Sequence, residues 1–198
     1  MRINKEKAKP AYGLGGFIDV ETTGLLNRDE IIEFSIGLFQ FNWEYGEINK
    51  IIEIYTGRRE PAVPIKKGAA RVHGLTMTDV KGKKLNKTKI RTLIKQADIL
   101  LAHNVSFDKR FVISFFPCAR NKSWLCSMNG IKWNQKGFSS RGLQSLLKLH
   151  KINPGRAHRA EADVKASIKL LNYRKNNGET YFKELIARET GRENFKIR

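Results

Sequence analysis

Four acidic residues and one histidine lie in three separated segments of this 198-residue chain. The first is Phe17-Ile18-Asp19-Val20-Glu21-Thr22-Thr23-Gly24-Leu25, the second His103-Asn104-Val105-Ser106-Phe107-Asp108, and the third His158-Arg159-Ala160-Glu161-Ala162-Asp163. Each sets a carboxylate beside an apolar run, where a strand or helix can point it into a site. Carboxylates are hard oxygen ligands, so a group of them suits Mg²⁺ or Mn²⁺ better than zinc or copper. Two such ions about 4 Å apart can split a phosphodiester bond by in-line displacement. Asp19 and Glu21 are two apart, so on a strand both project the same way, and a divalent cation relieves the repulsion between them. Singly, each residue has a plainer reading. Asp108 in the first turn of a helix stabilises the macrodipole. Asp163 can be an ion-pair member beside Arg159 and Lys165, and His158 a surface residue at a helix start. It is the constellation that asks for an explanation.

The elements that must carry these groups follow from periodicity. A short strand over 15–20 places Phe17, Asp19 and Glu21 on one side and Ile18 and Val20 on the other. β-rich runs at 31–41 and 48–56, joined by short turns, complete an antiparallel meander. Residues 57–75, with Pro61 and Pro64, read as a connection. A helix over 86–96 has Ile90, Leu93 and Ile94 on one face. A buried strand over 98–102 leads into a helix that Asn104 or Ser106 can cap and Pro117 stops near Phe116. A fifth strand is expected at 124–127, a helix over 141–149, and a last helix opened by His158. The pattern predicts an α/β fold, a mixed five-stranded sheet of three antiparallel strands followed by alternating strands and helices, flanked by helices.

Composition bounds the partners. Lys and Arg number 38 against 19 acids, a net charge of +19, and a polyanion is the natural counterpart. No basic amphipathic helix with an aromatic face appears, and no apolar run has spanning length, so a membrane partner is not expected. Cys118 and Cys126 lack the company a disulfide framework or zinc site requires and read as small buried side chains. The expected location is cytoplasmic. The expected organisation is a basic arm over 1–10, one catalytic domain over 11–176, and a charged, partly helical extension over 177–198. Gln144-Ser145-Leu146-Leu147-Lys148-Leu149 loosely suggests a clamp-binding peptide, but Leu143, Leu146 and Leu147 have helical spacing and read as core.

The three segments resemble the three motifs of the DEDDh (DnaQ-like) 3′–5′ exonuclease family, in order and over roughly residues 14–173. Val72-His73-Gly74-Leu75-Thr76 is similar to an accessory motif of proofreading-type members. The resemblance implies a ribonuclease H-like fold and two divalent cations, Mg²⁺ or Mn²⁺. It implies that Asp19 bridges both ions, Glu21 and Asp163 complete the first, and Asp108 serves the second. His158 is then the general base, and the product a nucleoside 5′-monophosphate released from the 3′ end.

For substrate contacts the resemblance points to Thr22, Thr23 and Leu25, with Asn104 and Phe107 beside the last nucleotides. Phe107 either stacks on a base or is core, and His73 either orients a loop over the site or satisfies a turn. The run from Lys81 to Arg91 carries basic residues and no acid. Lys83, Lys84 and Lys87 there form a backbone-tracking surface or simply a solvated helix start. The expected partner is nucleic acid with a free 3′ end, DNA before RNA, with a DNA polymerase subunit as a further expectation. An exoribonuclease of the same mechanism is the alternative, and a non-catalytic nucleic-acid-binding module a more distant one.

Overall fold

The computed structural model describes residues 11–155 and 157–190. The sheet is built from β1 (Tyr12–Thr22), β2 (Ile31–Asn42), β3 (Ile48–Arg58), β4 (Ile99–Ala102) and β5 (Ser123–Cys126), in the order β3-β2-β1-β4-β5. β1, β2 and β3 pair antiparallel, whereas β1–β4 and β4–β5 are parallel. The mixed five-stranded sheet is therefore the one read from the pattern, with β1, β2 and β3 longer than the sequence marked.

Helices cover both faces. They are α1 (Lys67–His73), α2 (Met77–Val80), α3 (Lys87–Gln96), α4 (Val105–Phe115), α5 (Ser127–Gly130), α6 (Leu143–Leu149), α7 (Ala160–Leu171) and α8 (Tyr181–Thr190). The alternation in β1 sorts its side chains between two cores. Phe17 joins Phe39, Leu101, Val164 and Ile168 on the α7 side, while Ile18 and Val20 join Phe34, Ile90, Leu93 and Val112 on the α3–α4 side. Buried on both faces, β1 is the central strand. Gly37 on β2 lets α7 lie close to the sheet: a Cβ there would meet Val164 Cγ1 at 2.8 Å and Ile168 Cδ1 at 2.9 Å.

The structure departs from the pattern in several places. The connection after β3 contains α1 and α2, because Pro61 and Pro64 exclude a helix only upstream of Lys66. Gly74, at φ 70°, then ends α1 by donating to Ala70 O, a left-handed cap suited to glycine. Asn104 sits at the start of α4, but neither it nor Ser106 caps the helix: the Ser106 hydroxyl donates to Asn104 Oδ1 instead. His158 does not open α7, which begins at Ala160; His158 stands ahead of it in a left-handed turn, φ 56°. Cys118 and Cys126 are half-buried free thiols, so full burial is corrected.

The basic arm expected over 1–10 lies outside the described residues. Within the stretch read as a charged extension, Tyr181, Phe182, Leu185 and Ile186 of α8 are packed in the same core as α7. No helix among the described residues is long and apolar enough to cross a membrane.

Candidate active site

The parallel pairing of β1 with β4 is what gathers the acids. Two parallel neighbours end at the same edge of the sheet, so the turn after β4 starts α4 beside the carboxyl end of β1. Asp108, in the first turn of α4, thereby reaches back to accept a hydrogen bond from Val20 N at 3.2 Å. α7 crosses the opposite face and brings Asp163 to the same edge. Oxygen atoms of Asp19, Glu21 and Asp163 lie within 4.8 Å of one another.

Asp163 is held on both oxygens. Gln144 Nε2 donates to Oδ1 at 2.8 Å and His158 N donates to Oδ2 at 3.1 Å. A cavity of about 410 Å³ is lined by Asp19, Glu21, Asn104, Asp108, Gln144, His158 and Asp163, among others. All four carboxylates and His158 thus meet in one place, as their types and order suggested. His158 is exposed there, while Asp108 and Asp163 are 4 % exposed.

Burial without a counter-charge dominates the electrostatics. Desolvation pushes the Asp19 carboxyl well above its ordinary range, with further contributions from Asp108, Glu21, Asp163 and Glu33. Desolvation raises Glu21 to about 8, helped by Asp163, Glu33 and Asp108, with Arg159 opposing. Asp108 rises to about 7, again from burial, against the hydrogen bond from Val20. Asp163 is raised for the same reason, against Gln144 and His158. An all-oxygen donor set that resists holding its own negative charge fits one or more hard divalent cations, which supply what the protein lacks.

A second cavity, of about 600 Å³, adjoins the first through Glu21 and Phe107. Its walls are mainly apolar: Leu25, Leu26, Ala69, Val72 and Phe107, with Thr22 and His73 at the back and Lys66 among the lining. Of the residues expected to touch substrate, Thr22, Leu25, His73 and Phe107 line this cavity and Asn104 lines the first. Thr23 lines neither. It is fully buried, donating to Asp29 Oδ1 and accepting from Glu30 N, so its side chain braces the loop after β1.

His73 satisfies the turn and also bonds to the end of β1. Leu75 N donates to His73 Nδ1 at 3.0 Å, which satisfies the turn. That leaves Nε2 as the protonated nitrogen, donating to Thr22 O at 3.3 Å and tying α1 to the end of β1. Phe107 is half-buried, edge-on to Phe111 and beneath the Arg110 guanidinium, yet it borders both cavities. Lys83, Lys84 and Lys87 line a separate concavity with Arg59 and Phe115, and Lys87 Nζ lies 4.8 Å from the Phe115 ring centroid.

Three participants escaped the sequence reading. Gln144 was visible only as one residue of a core helix. Arg159 was considered only as an ion-pair neighbour of Asp163, whereas it pairs with Glu33; Glu33 was unremarked, although a glutamate inside the apolar run Ile31-Ile32-Glu33-Phe34 is itself a signal. Glu33 is 1 % exposed and receives Arg58 Nε, Arg159 Nε and Nη2, and Ala160 N.

Comparison with known proteins places the chain among nucleases. A family model described as RNase_T: Exonuclease matches residues 17–171. No curated protein matches the chain. Among solved structures, exonuclease I is 22% identical with a TM-score of 0.63, over 81% of this chain and 40% of that one. Escherichia coli exonuclease I in complex with a dT13 oligonucleotide gives the same values. Exonuclease X in complex with 5′-overhanging duplex DNA is 22% identical with a TM-score of 0.56, over 85% of this chain and 99% of that one. At such identity the likeness establishes a shared fold, and the chain spans only 40% of exonuclease I.

Proposed function

The chain belongs to the RNase_T exonuclease family, and from that premise we propose that this metal-dependent hydrolytic nuclease removes nucleotides one at a time from the 3′ end of DNA. The observation that carries the reading is the convergence of four carboxylates, Asp108 and Asp163 buried and Asp19 and Glu21 half-buried, and an exposed histidine in one cavity that adjoins an apolar one.

Asp19, Glu21 and Asp163 would hold one Mg²⁺ or Mn²⁺ ion, and Asp19 with Asp108 a second. Bound there, the ions supply Lewis acidity, polarising the attacking water and offsetting charge on the departing 3′ oxygen. The protein's own contribution is positional. Val20 N fixes Asp108, and Gln144 and His158 N fix Asp163, so each carboxylate keeps lone pairs aimed inward. His158, exposed at the cavity, takes the proton of the attacking water. The water oxygen bonds to phosphorus, the bond from phosphorus to the 3′ oxygen breaks, and a nucleoside 5′-monophosphate leaves.

The apolar cavity suits a single terminal nucleoside. Its Leu, Ala, Val and Phe walls meet the faces of a base rather than its edges, so any base is accepted. Lys83, Lys84 and Lys87 would track the phosphate backbone away from the site, in keeping with the net charge of +19. DNA is preferred because the structural neighbours include nucleases captured with a dT13 oligonucleotide and with duplex DNA.

The test is degradation of 3′- and 5′-labelled single-stranded DNA and RNA with Mg²⁺ or Mn²⁺, beside Asp19→Asn. Stepwise loss from the DNA 3′ end, absent in the variant and in chelator, is the expected result. Faster loss from RNA would move the reading to an exoribonuclease, and ion-independent or absent cleavage would overturn it.

A further inference from the structure

Glu33 poses a problem of chemistry. It lies on β2 directly across from Glu21 on β1, in the same neighbourhood as the four carboxylates, yet its oxygens are not in the group that can share an ion. The reason is occupancy. Arg58 Nε and Arg159 Nη2 donate to Oε1 at 2.8 and 2.7 Å; Arg159 Nε and Ala160 N donate to Oε2 at 3.1 Å each. Two donors on each oxygen fill the acceptor sites of a carboxylate.

What this network holds is more telling than what it excludes. Arg159 and Ala160 directly follow His158, a residue with a side chain in the left-handed region at φ 56°. Such a backbone is disfavoured for any residue with a β-carbon and persists only when its surroundings over-determine it. The turn is pinned on both sides. Ahead of the bend, His158 N donates to Asp163 Oδ2; after it, Arg159 and Ala160 are clamped to Glu33. The contacts run from β2 to the start of α7, across 126 and 127 positions of chain.

We infer that Glu33, through its bidentate grip on Arg159, is a positioning residue that keeps His158 in the strained turn from which it reaches the attacking water. It touches neither substrate nor ion. The inference rests on the reading of His158 as the general base, and it assigns to one buried strand residue the placement of that base.

The experiment is a kinetic double-mutant cycle on the full chain with saturating Mg²⁺, using Glu33→Gln, Arg159→Gln and His158→Gln alone and in pairs. A displaced base slows the chemical step, so Glu33→Gln should lower kcat about 10- to 100-fold with KM little changed. Arg159→Gln should do the same, and the pair should be no worse than either alone. In the His158→Gln background, Glu33→Gln should change kcat less than about twofold, because nothing is left to position. Thermal melts and Mg²⁺ titrations of each variant show that fold and ion binding persist; if Glu33→Gln fails to fold, Arg159→Gln carries the same cycle. Equal losses from Glu33→Gln or Arg159→Gln with and without His158 would overturn the inference. If His158→Gln itself leaves kcat unchanged, it is the assignment of the base that fails, a separate outcome.

Discussion

At one edge of the sheet, a cluster of four carboxylates and a single buried glutamate sit side by side and are treated in opposite ways. Asp19, Glu21, Asp108 and Asp163 have almost no cationic company, and burial drives their carboxyl groups upward. Glu33, across the strand pair from Glu21, is 1 % exposed. Burial pushes it up as well, but hydrogen bonds from Arg159, Arg58 and Ala160 outweigh that and hold it below its ordinary value. The fold therefore completes the charge of one acid internally and leaves four to be completed from outside. Neighbouring acids are left uncompensated or are paired according to which donors the tertiary structure sends them.

That contrast can be broken from either side. The largest effect is expected at Asp19. Asp19→Asn should lower exonuclease activity by a factor on the order of 10³ or more. The metal-free variant should melt at the same temperature as the parent or higher, since a buried, repelled charge has been removed. A melting scan in chelator beside a cleavage assay checks both; a variant that loses activity only by unfolding would erase the distinction. Glu33→Ala should do the reverse to stability. Leaving Arg58 and Arg159 without their shared acceptor costs about 3–5 kcal/mol, read from a denaturant titration.

The two sets also separate by pH. For Glu21 the folded value near 8 exceeds its ordinary 4.5, so the folded metal-free protein binds more protons than the unfolded chain. Its contribution is complete below about pH 4.5 and is lost as pH rises through 8, with a limit near 1.4 kcal/mol per pH unit for one group. Glu33, lowered from 4.5, works in the opposite sense: its stabilisation is present above that value and lost as pH falls through its folded value. Melting temperature in chelator should thus fall between pH 5 and 8, and saturating Mg²⁺ should remove the fall. A flat profile without ion would count against an uncompensated cluster.

The smallest effect sharpens the comparison from the surface. Neutralising Lys83, Lys84 and Lys87 together should leave kcat alone and flatten the plot of log affinity against log salt for single-stranded DNA by about 2. An unchanged slope would return these lysines to the role of a solvated helix start.

Much of the scaffold was legible because it is periodic. The alternation of Phe17, Ile18, Asp19 and Val20 marked a strand with two faces, and Ile90, Leu93 and Ile94 marked the inner face of α3. Helix α1 was not legible, since seven residues give too little period and the prolines before it look like loop. Helix was expected in the region of α8, but its burial was not legible, since its charged sequence hides Phe182 and Leu185, which pack in the core with β2 and α7. The acids of the cavity could be read because a candidate metal site needs particular side-chain types at short local spacings. Their supports could not: Gln144 and Glu33 are ordinary residues until Asp163 and Arg159 reach them from 19 and 126 positions away.

The sequence by itself determined the membership of the site, because residue type sets ligand chemistry and strand period sets which acids share a face. Only the tertiary structure decided which carboxylates stay free to bind. Desolvation and hydrogen bonding act through neighbours in space, and for Glu33, Arg159 and His158 those neighbours are gathered only when α7 packs across the sheet.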